Sequence, residues 1–567
     1  MQKQWILKQV DPSLADTLSS SCGISTVVAT IISSRNFTDP AAVNSFLSPS
    51  LSGMLDPFLM ADMEPAVERL ITARKNAENL SVYGDYDVDG ISSTAMLVSA
   101  LKAMGFRAQY HIPNRMEDGY GLNREALGFI KESGVNLVIS VDCGVTAIEE
   151  ALFCRDIGLD LIITDHHLPQ DGLPEALAVI NPRRSDCRYP FKSLAGVGVA
   201  FNLLVALRNR LREQGAFNDD EPDLRQWLDL VALGTIADLV PLVEQNRLLV
   251  VAGLQRMDDS CRTGLAALKK VAGVKGKVGS GQVAFQLAPR LNAAGRLESA
   301  VPGVELLLTD DPVYAALLAD ELDAANAERR QVERQIFKDA VSMIEGGDSA
   351  DKRQSIVLSS PEWHQGVVGI VASRLVERYY RPAILVALID DSTGKGSGRS
   401  INGIHLLELL DECSEYLERY GGHSAAAGLT IKSEALPAFS EAFEHAVKLK
   451  LGDKEPIPQL LIDAELQPKD LTLNLANEIQ GMEPFGMGNQ TPLFLIKGMK
   501  AVERRCFGEG NLLLRLERDG LKFKAIGWGM AEVGLSPVMD LACAIKTETW
   551  NGSEQLRLEI KDLRAAV

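Results

Sequence analysis

The 567-residue sequence lacks any Cys-x-x-Cys pair. Its eight cysteines are scattered, which removes the ligand spacing of a structural zinc site and fits a reducing compartment. It also lacks an uninterrupted apolar run near the roughly 20 residues that span a membrane. No apolar core follows Met1-Gln2-Lys3-Gln4-Trp5, so no signal peptide is expected and a cytoplasmic location is. A basic excess is missing too. The formal net charge is -18, which taken alone argues against a nucleic-acid partner. That exclusion is weak, because carboxylates committed to metal ions do not repel phosphate as free ones do, and basic grooves can sit on an acidic protein. The short glycine pair in Gly196-Val197-Gly198 is better explained by close helix packing than by a nucleotide loop.

What is present is an ordinary globular composition, 46% hydrophobic and 24% charged, on a chain long enough for three or four domains. Residues 1–75 read as helical and irregular, packed on the lobe that follows. From residue 76 strand and helix alternate. Residues 80–83 form a strand, 91–104 a helix stopped by Gly105, and 107–112 the next strand. Residues 136–141 and 160–164 are near-continuous apolar strands of the kind buried on both faces. Repeated βα units with short joins predict a parallel sheet with helices on both sides.

Acids sit at the carboxyl ends of these strands, the edge where open α/β sheets bind ligands. Asp85, Asp87 and Asp89 alternate in Gly84-Asp85-Tyr86-Asp87-Val88-Asp89-Gly90 after the first strand. Asp142 follows the third strand in Val141-Asp142-Cys143-Gly144, and Asp165-His166-His167 follows the fourth. Alternate carboxylates repel one another unless a cation neutralises them, and this spacing suits oxygen ligands of a hard metal. The alternative is a solvated acidic turn. Asp238, in Gly234-Thr235-Ile236-Ala237-Asp238, ends an apolar helical run, where the helix dipole disfavours an acid. It is either a further metal-facing group or an exposed terminal acid.

These four motifs, in this order, resemble those of the DHH phosphoesterase superfamily, and their flanking words resemble its single-strand-specific 5′→3′ exonucleases. The resemblance covers most of the chain. It implies that Asp85 and Asp87 ligate one ion, that Asp89, His166 and Asp238 ligate another, and that Asp142 is shared. It implies Mn²⁺ or Mg²⁺ as the pair of ions and His167 as a group that orients its neighbours or meets the scissile phosphate. The catalytic set is then Asp87, Asp89, Asp142, His166, His167 and Asp238.

Substrate groups are expected on basic and aromatic residues near the same edge. Arg115 ends His111-Ile112-Pro113-Asn114-Arg115, and its fork matches phosphate oxygens. Tyr120 either stacks on a base or is a core-edge residue in a glycine turn. Arg290 and Arg296, in Pro289-Arg290-Leu291-Asn292-Ala293-Ala294-Gly295-Arg296, are placed in the substrate groove by the resemblance. Residues 315–345 read as a long helix with a solvated face that includes Glu328-Arg329-Arg330 and Glu333-Arg334. A second α/β lobe then begins. Gly394-Lys395-Gly396-Ser397-Gly398-Arg399-Ser400 and Gly421-Gly422-His423 read as loops. They either offer donors and cations to an anion or are plain turns. By resemblance to the DHH-associated substrate lobe, Ser397, Arg399 and His423 face the substrate across a cleft from the metals.

From about 457 the pattern is β-rich, with hairpin signals at Asp519-Gly520 and Asn551-Gly552. Family resemblance suggests an OB-like barrel, with Arg504, Arg505, Arg515, Arg518, Lys522, Lys524, Phe523 and Trp528 suited to single-strand binding. A plain antiparallel domain with a solvated face predicts a similar composition. The expected fold class is therefore α/β: a parallel-sheet DHH lobe (76–314), a connector helix (315–350), a DHHA1-like lobe (351–456) and an OB-like domain (457–567). The expected activity is metal-dependent degradation of single-stranded DNA to 5′-mononucleotides in repair and recombination, with no membrane. A single-strand-binding protein and a helicase are the expected protein partners. The alternatives are a DHH phosphodiesterase of short oligonucleotides, cyclic dinucleotides or pyrophosphate, and a non-catalytic replication scaffold or strand-binding protein. Retention of the acidic positions speaks against the scaffold.

Overall fold

The computed structural model describes residues 3–114, 121–170, 172–218, 220–259, 262–297, 299–346, 353–452, 456–550 and 552–566. They divide into two compact units, one of residues 5–322 with 461–567 and one of 1–4 with 323–460.

In the larger unit, three helices open the chain: α1 (Pro12–Cys22), α2 (Thr26–Ser33) and α3 (Pro40–Leu47), each N-capped by a side chain, Asp11, Ser25 and Asp39. After α4 (Met63–Lys75) come β1 (Asn79–Gly84), α5 (Val88–Ala103), β2 (Arg107–His111), α6 (Arg124–Glu132), β3 (Leu137–Val141), α7 (Ile148–Asp156), β4 (Asp160–Thr164) and β5 (Ala178–Ile180). The five strands form one parallel sheet in the order β2-β1-β3-β4-β5. Every residue of β3 is buried, because its Leu-Val-Ile-Ser-Val run is covered on both faces. One cover is built by α6 and α7 through Leu127, Ile130, Ala151 and Cys154. The other is larger and adds α8 (Gly196–Glu213), α9 (Leu228–Ala237) and α10 (Glu244–Asp259) to α4 and α5. Among residues 1–75, Met60 to Ala73 enter this sheet's core. Helices α1–α3 instead share a core with the C-terminal region, where Leu18, Val28, Ile32 and Phe46 join Phe494, Leu514 and Leu558. Their apolar residues carry no signal of which partner covers them, so the sequence alone pointed to the neighbour in the chain.

A helix Ala288–Leu297, α11, precedes the 34-residue α12 (Pro312–Glu345). The charges of α12 are not all solvated: Glu333 takes Arg329 and Arg374 at 3.0 Å each, with its side chain 13% exposed.

The second unit holds β6 (Ile356–Ser360), α13 (Val368–Tyr379), β7 (Ala383–Leu388), β8 (Thr393–Arg399), β9 (Leu417–Gly422), β10 (Ala426–Lys432) and α14 (Leu436–Leu451). Its sheet runs β9-β10-β8-β7-β6, parallel only between β6 and β7. The stretch expected as a glycine loop at 394–400 is mostly the central strand β8, whose ladder occupies the backbone donors. Its glycines have period two. A Cβ on Gly396 would lie 2.7 Å from Leu429, and one on Gly394 2.5 Å from Val386, so the missing side chains admit neighbouring apolar ones. Gly421-Gly422 likewise belongs to β9, paired with β10.

After α15 (Leu473–Gln480), five strands close into a barrel: β11 (Phe494–Phe507), β12 (Asn511–Arg518), β13 (Leu521–Gly527), β14 (Met539–Trp550) and β15 (Ser553–Ala565). The order is β11-β12-β13-β15-β14, and β14 returns to β11. Asp519 and Gly520, at φ 55° and 78°, make the two-residue turn that the Asp-Gly pair signals. Among the described residues no single helix is long and apolar enough to cross a membrane.

Candidate metal centre

The centre is assembled at the carboxyl edge of the parallel sheet. Asp85 follows β1, and the chain then turns so tightly onto α5 that a Cβ on Gly90 would lie 2.5 Å from the Asp85 carbonyl oxygen. Asp87 is the N-cap of α5: its Oδ1 accepts the N–H groups of Asp89 and Gly90 at 2.9 and 3.1 Å. Asp89, in the first turn, is buried and accepts the first amides of α8, Gly196 N–H at 2.7 Å and Val197 N–H at 2.9 Å. Gly196 has to be glycine, since a Cβ there would stand 2.6 Å from Asp142 Oδ1. The glycine pair is thus a site of close packing, as its sequence suggested, and the packing presses a helix N-terminus against two acids. The sequence did not reveal that use.

Asp142 follows β3 with φ at 62°, a left-handed conformation that costs a residue with a Cβ and marks functional sites. His166 follows β4. Its Nε2 lies 3.1 Å from Asp142 Oδ1 and 3.4 Å from Asp238 Oδ2, in an orientation that makes a hydrogen bond to neither. Asp238 is the C-cap of α9, its side chain only 19% exposed, so the reading as a freely exposed acid is excluded. Donor atoms fall into three groups, each within 4.8 Å: Asp85, Asp87 and Asp142; Asp89, His166 and Asp238; Asp142, His166 and His167.

Charge explains why these groups need a partner from outside. Burial, then Asp87, pushes the Asp89 carboxyl up to about 7. Burial, then Asp89, pushes Asp238 up to about 9. Asp142 is raised well above the carboxylate range by burial and by four neighbouring acids. Burial, then His167, pushes His166 down to about 3, so its ring is neutral at physiological pH. Clustered carboxylates that cannot all ionise without positive charge, around a neutral imidazole whose Nε2 bonds to nothing, form a donor set that fits hard divalent cations.

Asp165, which sequence reasoning passed over as a site residue, organises this edge. Its Oδ2 accepts Val145 N–H at 2.9 Å, while its Oδ1 accepts His166 N–H at 2.7 Å and His167 N–H at 3.0 Å. It also lies 2.8 Å from His167 Nδ1. Burial draws His167 down and Asp165 up, and the bond between them outweighs both, leaving His167 raised and Asp165 lowered. Its signal was the acid beside the two histidines. Asn292 was also missed: its Oδ1 accepts Val88 N–H at 3.1 Å, and a Cβ on Gly295 would lie 2.7 Å from Tyr86 O, so α11 braces the acidic turn.

Residues 79–235 match the DHH family, N-terminal domain; residues 353–449 match the DHHA1 domain; residues 462–562 match the RecJ OB domain. The chain is 37% identical to the single-stranded-DNA-specific exonuclease RecJ of Bacillus subtilis, over 99% of this chain and 70% of that protein. It is 39% identical to the Escherichia coli protein of the same description, over 91% of this chain and 89% of that protein. The chain belongs to the RecJ family. The crystal structure of Thermus thermophilus RecJ in complex with Mn²⁺ covers the whole chain and 80% of its own, at 32% identity and a TM-score of 0.85.

The other residues expected to act in this RecJ-family chain are placed as follows. Arg115 and Tyr120 lie outside the described residues. Arg290 and Arg296 are on α11, the helix that abuts the acidic turn, and Arg290 donates to Gln286 O at 2.6 Å. In the second unit, β8 and the β9–β10 hairpin gather Ser397, Arg399 and His423 at one end of the sheet. Arg399 Nη1 donates to Ser397 Oγ at 3.0 Å and to Gly398 O at 2.7 Å. Burial and then Arg399 lower His423. Gly369, at the start of α13, packs against Ser397 and Arg399, since a Cβ there would stand 2.7 Å from Ser397 Oγ and 3.1 Å from Arg399 Nη2. On the RecJ OB domain several expected DNA-facing cations are paired: Arg515 with Glu503, Lys522 with Glu517, Lys524 with Glu548. Arg515 and Lys522 meet acids on the strand beside them, and Lys524 reaches past β15 to Glu548 of β14, pairings that register decides and composition conceals. Trp528 is half exposed and meets Phe507 edge-on at 5.9 Å.

Proposed function

We propose that the chain is a metal-dependent exonuclease that degrades single-stranded DNA from the 5′ end to 5′-mononucleotides. The observation that carries it is the meeting of Asp85, Asp87, Asp89, Asp142, His166 and Asp238 at one sheet edge around unneutralised charge. In this reading Asp85, Asp87 and Asp142 hold one ion, and Asp89, His166 and Asp238 hold the other. Mn²⁺ or Mg²⁺ bound there supplies positive charge to phosphate oxygens and acidifies water. The chain's own part is placement. The α8 amides aim Asp89, the left-handed turn aims Asp142, and Asp165 fixes the ring of His167 toward the phosphate. Water oxygen bonds to phosphorus, the bond to the 3′ oxygen breaks, and a nucleotide leaves with its 5′-phosphate and a 3′-hydroxyl. Polarity rests on the family resemblance. Substrate contacts fall to Arg115, Tyr120, Arg290, Arg296, Ser397, Arg399 and His423. The cysteines in the described residues carry no disulfide, which supports work in a reducing cytoplasm. A helicase to expose strands and a single-strand-binding protein to present them complete the reading in repair and recombination.

The test compares Asp142→Ala with the wild type on a 5′-labelled single strand. The variant is expected to lose nucleotide release by a factor of about 10³ or more while keeping its circular dichroism, since a hard-metal ligand is worth several kcal/mol of transition-state charge stabilisation. Unchanged turnover in that variant rules the centre out. Hydrolysis of dinucleotides but not of the long strand points instead to the short-oligonucleotide phosphodiesterase.

A further inference from the structure

The larger unit has an open cavity of about 790 Å³ between the helical side of the parallel-sheet domain and the barrel, apart from the acidic edge. Phe285 stands on its wall with 83% of its surface exposed. One exposed apolar side chain is ordinary on a protein surface, but this one shares the cavity with a second ring, Phe485. The backbone at Phe285 is unusual as well. Val283–Leu287 is a π-helical turn, an irregularity that recurs at functional sites, and it feeds directly into α11. Phe485 and Lys546 lie on the barrel side, with the Lys546 ammonium 5.3 Å from the Phe485 ring, and Lys277 adds a second cation. Two acids also line the cavity: Asp258 accepts Val278 N–H at 2.9 Å, and Glu483 lies 3.9 Å from Lys546.

Two connections tie this cavity to the metal centre. Along α11, Asn292 is seven residues past Phe285, about 10 Å of helix, and holds the acidic turn through Val88 N–H. On the other side, Leu239 follows Asp238 and is 69% exposed, and its loop donates Leu242 N–H to Met487 O at 2.7 Å. Met487 is itself 57% exposed, two residues from Phe485.

We propose that this cavity is a stacking platform for single-stranded DNA, with Phe285 taking a base a few nucleotides from the scissile phosphate and Lys277 and Lys546 meeting the backbone. This rests on the exonuclease reading and adds a strand-holding surface where the helices of the parallel-sheet domain meet the barrel, apart from the DHHA1 domain. Aromatic faces accept every base, so the platform holds a strand without reading it. Phe285 is a positioning residue: it sets where the strand lies and takes no part in the bond change.

The experiment measures kcat and KM of wild type, Phe285→Ala and Phe285→Trp on a ladder of single-stranded oligonucleotides with Mn²⁺. Phe285→Ala is expected to match the wild type on the shortest strands hydrolysed and to lose about ten-fold or more in kcat/KM, through KM, once the strand reaches the cavity. Phe285→Trp should restore the long-strand KM. Curves that coincide at every length, or a loss equal at every length, overturn the platform while leaving the exonuclease reading standing. Absence of nucleotide release by the wild type at every length overturns that reading, and the platform with it.

Discussion

Asp89 shows how a single side chain carries two opposed demands. Two amides of α8 favour its charge, whereas burial and Asp87 oppose it, and the opposition wins. With Asp238 it makes a prediction about pH. Both carboxyls bind protons more tightly folded than unfolded, at about 7 and about 9 against an ordinary value of 3.8. Their contribution to stability is therefore complete below about pH 4 and is lost as pH rises through about 7 and then 9. In chelator, the melting temperature should fall between about pH 4 and pH 9, and Mn²⁺ should restore it at the upper end by supplying charge that protons no longer supply. A flat profile in chelator would show that these acids do not face one another. The acids themselves were legible in the sequence, since each follows an apolar strand. The amides that hold Asp89 and the oxygen of Asp165 were not, because backbone donors and rotamers leave no mark on residue type.

At the scale of elements, the position of Asp238 depends on how α9 lies against α10. Gly253 of α10 sits where a Cβ would be 2.1 Å from Leu228 O and 2.5 Å from Ala232. Gly253→Ala is expected to push the helices apart at about 1–3 kcal/mol of stability, and to lower nuclease activity by displacing Asp238. Calorimetry beside a nuclease assay checks both, and an unchanged melting temperature would deny the close approach. The βα alternation and the hairpin at Asp519-Gly520 could be read directly, because period and turn chemistry are local. Strand β8 could not. Glycine at every second residue looks like a loop until the neighbours that fill its empty face, Val386 and Leu429, are brought beside it by pairing.

At the scale of the molecule, the helices that open the chain and the barrel that closes it have a core in common. Val28 and Ile32 of α2 join Leu475 and Ile479 of α15, and Ser25 N–H donates to Glu478 Oε2 at 3.0 Å. A variant that begins at Ser48 should therefore keep its parallel sheet but expose the barrel's apolar side. Dye binding and early proteolysis within residues 461–566 are the expected readouts, and a barrel as protected as in the full chain would contradict the common core. The same arrangement has a meaning for synthesis. Helices α1–α3 leave the ribosome long before the barrel that covers Leu18, Val28 and Ile32, on the order of a minute earlier at about 5–20 residues per second. Through that interval the nascent chain carries a sticky segment whose main cover is still to be made, so chaperone demand should track translation speed more than the stability of the finished enzyme.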